Sequence, residues 1–128
     1  MNVGHKILVV DNDRIICRAI KRELENEGYK VECALTGNEG VKLVEENGFK
    51  MAIIDLILPD IDGVEVCKKI KNLSLGIKPF LISGHMNELH ERRKDFILAG
   101  GCKKTIMKPF AEGEFVKLAK DVFEKGEC

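Results

Sequence analysis

Neither sign of charge is in excess in this chain: 21 Lys and Arg face 21 Asp and Glu, and the formal net charge is zero. That absence argues against bulk-charge binding to nucleic acid or to a membrane surface, and leaves room only for a local patch. There is no acidic or basic tail. The N-terminus lacks the apolar segment of a secretion signal, and no apolar run is long enough to cross a bilayer. The sequence therefore reads as cytoplasmic, without membrane insertion. Five cysteines (Cys17, Cys33, Cys67, Cys102, Cys128) form no C-x-x-C pair and no metal-type spacing. An odd, unpatterned set points to a reducing compartment and unpaired thiols. Cys17, Cys33 and Cys67 read as small buried hydrophobes, and Cys128 as an exposed, oxidisable terminus. Repeats, linkers and low-complexity tracts are missing too. At 128 residues the chain suits one domain, 1–128, with one buried core.

What is present is an alternation of short apolar runs and amphipathic stretches. "KILVV" at Lys6–Val10 reads as a strand, and Asn12 or Asp13 could cap the helix that follows, with Ile16, Ile20 and Leu24 on one face as far as Gly28. "YKVECA" is a second strand. Thr36 and Glu39 form a capping box for a helix through Val41, Leu43 and Val44 to Gly48. "KMAIID" is a third strand, apolar throughout as a strand buried on both faces should be. Asp62 caps a helix through Val66 and Ile70. "KPFLIS" is the fourth strand, Asn87 to Ala99 a helix with Leu89, Phe96 and Leu98, "CKKTIM" the fifth strand and Glu112 to Lys125 the last helix. Five strands alternating with five helices predict an α/β fold with a parallel sheet covered on both faces. Function in such a sheet lies beyond the carboxyl ends of the strands.

Those ends carry polar groups. Asp11-Asn12-Asp13 follows the first strand, Asp55 ends the third, Ser83-Gly84 closes the fourth and Lys108-Pro109 follows the fifth. Carboxylates about 4 Å apart repel by roughly 4 kcal/mol at an effective dielectric near 20. A divalent cation offsets that, and Mg²⁺ suits carboxylates, a carbonyl and waters. A carboxylate can attack phosphorus to give an aspartyl phosphate, while a lysine and a hydroxyl hold the charged oxygens.

The segments "ILVVDND", "IIDLILPDIDG", "LISG" and "MKPF", in this order and spacing, resemble the receiver domain of the two-component response-regulator family, from about His5 to about Glu124. The resemblance implies a flavodoxin-like, doubly wound five-stranded sheet of order 2-1-3-4-5. It implies that Asp55 takes a phosphoryl group from a histidine kinase or phosphotransfer protein. It makes Mg²⁺ the cofactor, held by Asp11, Asn12, Asp55 and the backbone carbonyl of Ile57. Ser83 would meet the phosphoryl oxygen, and Lys108 would pair with Asp55 at rest and with the phosphate afterwards. Pro109 suggests a cis Lys-Pro bond. Pro59 and Gly63 shape the loop and start the next helix.

Two positions depart from the family pattern. Asn12 stands where a second metal-binding carboxylate is usual, which implies weaker Mg²⁺ binding. Asp13 is the next acid; it caps the first helix or, less favoured, reaches the metal. Thr105 stands where a Tyr or Phe is usual, so coupling from Ser83 to the fourth helix and fifth strand is altered or uses other side chains. His85 either gates the attacking water or is an exposed loop histidine. Asp60 and Asp62 read as turn and cap residues, His5 and His90 as exposed, and "HERRKDF" as a solvated face that is also the first candidate for a protein contact.

The leading expectation is a stand-alone receiver that signals to an output protein, or a fragment of a longer regulator. It would carry out only its own phosphorylation and dephosphorylation, and would not be an enzyme in the turnover sense. A phosphorylation-linked homodimer through the fourth helix, fifth strand and fifth helix stays open. The first rival is a degenerate receiver that binds protein without phosphorylation. The second is a doubly wound enzyme or flavin carrier, disfavoured because "DND" replaces a phosphate-cradling loop.

Overall fold

A computed structural model describes residues 5–128. Five strands, β1 (Lys6–Val10), β2 (Lys30–Ala34), β3 (Met51–Asp55), β4 (Lys78–Ser83) and β5 (Thr105–Met107), alternate with α1 (Arg14–Glu25), α2 (Gly37–Glu46), α3 (Gly63–Leu73), α4 (Met86–Leu98) and α5 (Glu114–Lys125). The strands pair in parallel in the order β2-β1-β3-β4-β5. Alternate residues of each strand face opposite sides, and two cores result. Ile7, Val9, Ile53, Phe80 and Ile82 pack with α1 and α5. Leu8, Val10, Ile54 and Leu81 pack with α2, α3 and α4. All five residues of β3 are buried.

The helix starts follow the sequence. Asp13 accepts from the Ile15 and Ile16 amides, Thr36 from Glu39 and Asp62 from Glu65. Glu39 reaches back to the Leu35 amide at 3.3 Å, one residue beyond the N-cap amide of the usual box.

Four expectations change. β5 covers only Thr105–Met107: Cys102 still bonds to the Pro79 carbonyl at 2.8 Å, but exposed Lys103 and Lys104 leave the ladder. Leu98 is 75% exposed, so α4 buries only Leu89 and Phe96 of its 13 residues. His5 is half-buried, stacked on Phe123 with ring centres 4.4 Å apart. Finally, Cys102 and Cys128 are joined by a disulfide. Gly126, at φ 69°, and the Glu127 amide, bonded to the Asp121 carbonyl at 3.0 Å, turn the tail back after α5. That turn brings together cysteines 26 residues apart, which no local spacing reveals. Cys17 and Cys67 are buried free thiols and Cys33 is half-buried.

Candidate functional site

The carboxyl ends of the strands converge on a cleft of about 320 Å³ whose wall includes Asp11, Asn12, Asp55, Ile57, His85 and Lys108. Parallel pairing sets this convergence. The Asp11 amide bonds to the Ala34 carbonyl at the end of β2, and the Lys108 amide to the Ser83 carbonyl at 2.9 Å. The Lys108-Pro109 peptide is cis, as the sequence suggested. A larger groove of about 1000 Å³ between α1 and α5 lies away from these groups and contains none of them.

Lys108 Nζ lies 2.7 Å from Asp11 Oδ2 and 3.0 Å from Asp55 Oδ2. Asp11 is fully buried and Asp55 is 5% exposed. Two buried carboxylates thus share one ammonium. Burial raises the Asp55 carboxyl above its ordinary range, and the Asp11 charge adds to this; Lys108 and the Ile57 amide act in the opposite direction. Burial works against the Lys108 ammonium, yet its contacts with Asp11 and Asp55 prevail and hold it above the usual lysine value. The remaining oxygens are used locally. Asp11 Oδ1 accepts from the Asp13 amide at 2.9 Å, and Asp55 Oδ1 from the Ile57 amide at 3.3 Å.

The donor set suits a hard cation. Asp11 Oδ2 is buried and has the Lys108 ammonium 2.7 Å away. Such an oxygen has lone-pair capacity left for a metal. Among the described residues no three His, Cys, Asp or Glu side chains gather as metal ligands. Asp11, Asn12, Asp55 and Ile57 line one cleft, a set to which a Mg²⁺ ion would add waters. Asp13 also lines the cleft, and its Oδ1 caps the α1 amides, as the sequence favoured.

Of the residues singled out in the sequence, Asp11, Asp55 and Lys108 touch, and Asn12 and Ile57 line the same cleft. Ser83 is fully buried at the end of β4, its hydroxyl accepting from the His85 amide at 2.9 Å. Gly63 permits the loop: a Cβ there would sit 2.6 Å from the Asp55 carbonyl oxygen and 3.0 Å from Leu56 Cα, both rigid backbone. Two ties escaped the sequence reading. The Asp60 carboxylate accepts from the Gly37 and Asn38 amides at 2.9 and 2.8 Å, fastening the loop after β3 to the start of α2. Arg92 of α4 bonds to Asp62 at 3.0 Å and to Asp95 at 2.7 Å, so "HERRKDF" is not wholly solvated. The Asp60 ties and the Arg92–Asp62 pair have no signal in local spacing, whereas Arg92–Asp95 is an i,i+3 helical pair.

The response regulator receiver domain family matches residues 7–120. A CheY-like receiver domain protein from Methanospirillum hungatei JF-1 is 33% identical and superimposes with a TM-score of 0.88 over 94% of each chain. Response regulator DrrB, an OmpR/PhoB homolog of Thermotoga maritima, is 28% identical with a TM-score of 0.81, over 96% of this chain and 54% of that one. Response regulator MprA of Mycobacterium sp. (strain KMS) is 32% identical over 111 residues, which are 87% of this chain and 47% of the relative. The chain spans about half the length of the curated relatives it matches.

Proposed function

The chain belongs to the response regulator receiver domain family, and from that premise we propose that Asp55 accepts a phosphoryl group from the phosphohistidine of a histidine kinase or phosphotransfer protein. The contact that carries this reading is Lys108 Nζ bridging buried Asp11 and Asp55 at 2.7 and 3.0 Å. An Asp55 oxygen forms the new O–P bond as the N–P bond of the donor breaks, its electron pair returning to the histidine. Lys108 already touches the attacking carboxylate and is placed to follow the charge onto the phosphoryl oxygens. Ser83 supplies a hydroxyl one strand away once it leaves the His85 amide. Asp11, Asn12, Asp55 and the Ile57 carbonyl would hold Mg²⁺. When bound, the ion supplies neutralisation of the carboxylates and of the incoming phosphoryl group.

Response regulators pair histidine kinases with output domains, and the family serves signalling. In this reading residues 1–128 form one receiver unit, working in the cytoplasm and speaking to an output protein through α4, β5 and α5, with a phosphorylation-linked homodimer as one form of that output. Among the described residues no helix is long and apolar enough to cross a membrane.

Intact mass after incubation with acetyl phosphate tests the reading. A single phosphoryl adduct that requires both Mg²⁺ and Asp55, and is therefore missing in Asp55→Asn, is expected. Asn12 and Thr105 favour a second reading, a binding module that no longer takes phosphate. No adduct on folded protein would select it.

A further inference from the structure

We propose that the amino ends of β1, β3 and β4 hold a second binding site, for the phosphate group of a small phosphomonoester, which Lys50, Lys78 and His5 grip against the Phe123 ring. A pocket of about 310 Å³ opens there, lined by these four residues with Gly76 and Val122. Backbone bonds hold the strand starts level: the Lys50 amide donates to the Lys6 carbonyl at 3.1 Å, and the Lys78 amide to the Lys50 carbonyl at 3.0 Å. The pocket lies at the opposite end of the sheet from the acidic rim, roughly 16 Å away along strands such as β1 and β3. The two share no residue, so this site stands apart from the phosphoacceptor reading.

Strand alternation brings the basic groups to one face. His5 has the parity of Ile7 and Val9, and Lys78 that of Phe80 and Ile82, all in the core under α1 and α5. The His5 ring accordingly stacks on Phe123 of α5, with centres 4.4 Å apart. Lys50 is exposed and Lys78 half-buried, and among the described residues neither has a carboxylate partner. No Asp or Glu lines the pocket. Asp121, beside Val122, is paired with Lys125 at 3.5 Å, and Glu124, beside Phe123, is exposed. The last carbonyls of α5 would repel an anion, but the Gly126 and Glu127 amides cap those of Val122 and Asp121 at 3.0 Å. His5 Nδ1 is buried without a hydrogen-bond partner among the described residues, which leaves one polar atom of the cluster unspent.

The ligand class follows from this lining. Two ammonium groups without counter-charge suit a dianion better than a monoanion such as a carboxylate. Lysine binds phosphate as a point charge and needs no fixed fork of donors. Phe123 and Val122 add an apolar wall, which suits an organic group on the ester oxygen of the phosphate. The volume is at the small end for ligand pockets, so the organic group is small as well.

The test is an amide chemical-shift titration of the full chain with phenyl phosphate, inorganic phosphate, acetate or chloride at matched ionic strength. EDTA is present throughout, so that no metal draws phosphate to the acidic rim. Phenyl phosphate is expected to give saturable shifts at residues 76–78 and 122–124. Inorganic phosphate should bind there more weakly, and acetate and chloride more weakly still. Lys50→Gln and Lys78→Gln should each weaken phenyl phosphate binding about fivefold. Lys42→Gln, an exposed position on α2, should leave it unchanged. Lys50 is exposed, so its variant keeps the test open even if Lys78→Gln disturbs the fold. Shifts that do not saturate, shifts centred on the acidic rim, or equal losses in Lys42→Gln would each overturn the proposal. Acetate bound as tightly as phosphate overturns the dianion assignment, and inorganic phosphate bound as tightly as phenyl phosphate overturns the monoester.

Discussion

At the scale of single residues, the site is an uneven sharing of charge. Lys108 serves two buried carboxylates, and Asn12, beside them, brings an oxygen without charge. A carboxylate at that position would add attraction for a cation and repulsion in its absence. Asn12→Asp is therefore expected to tighten Mg²⁺ binding about tenfold, roughly 1.4 kcal/mol. It should also lower the melting temperature in EDTA, and titration calorimetry with paired melts reads both effects. Asp55 and Lys108 were legible in the sequence, because a carboxylate ending an apolar strand and a lysine before a proline each stand out. The second contact of Lys108, to Asp11, was not: it joins residues from strands separated by β3 and β4 in the sheet and depends on the reach of one side chain.

At the scale of elements, loops are held by caps borrowed from elsewhere. Asp60 gives both oxygens to the first amides of α2. Slight burial acts against its anion, but the Asn38 and Gly37 amides prevail and depress its carboxyl below the ordinary range. A depressed carboxyl stabilises the fold above its unfolded value and loses that effect as pH falls through the folded one. Asp60→Ala is thus expected to cost about 1 kcal/mol at neutral pH, at the modest end for an exposed cap. The difference from wild type should vanish in acid; urea melts at the two pH values check both halves. Short apolar runs, capping residues and apolar stripes located every helix and strand here. They overextended β5 and counted Leu98 as inward, because nothing local marks where an edge strand leaves its ladder or which leucine a short apolar stripe leaves outside.

For the whole molecule, the Cys102–Cys128 bridge closes a span of 26 residues that includes β5 and α5. Loop closure of that length restricts the unfolded chain by about 3 kcal/mol. Cys128→Ser should lower the unfolding free energy by roughly 2–4 kcal/mol, and dithiothreitol should do the same to wild type and nothing further to the variant. Denaturant melts with and without reductant separate the cases. The parallel sheet was within reach of the sequence and its order came with the family resemblance; the bridge was not legible, since it depends on how the tail after α5 folds back.

The contrast between β3, buried at all five positions, and α4, anchored by Leu89 and Phe96 out of thirteen, also separates the molecule in time. Amides of β3 open only when the whole domain does, whereas α4 needs to release just two side chains. In deuterium uptake the strand carrying Asp55 should thus be among the last segments to exchange, and α4 among the first of the helices. On that expectation the carboxylate proposed as phosphoacceptor would ride on the slowest part of the protein, while the surface nearest Ser83 and His85 would answer on a faster clock.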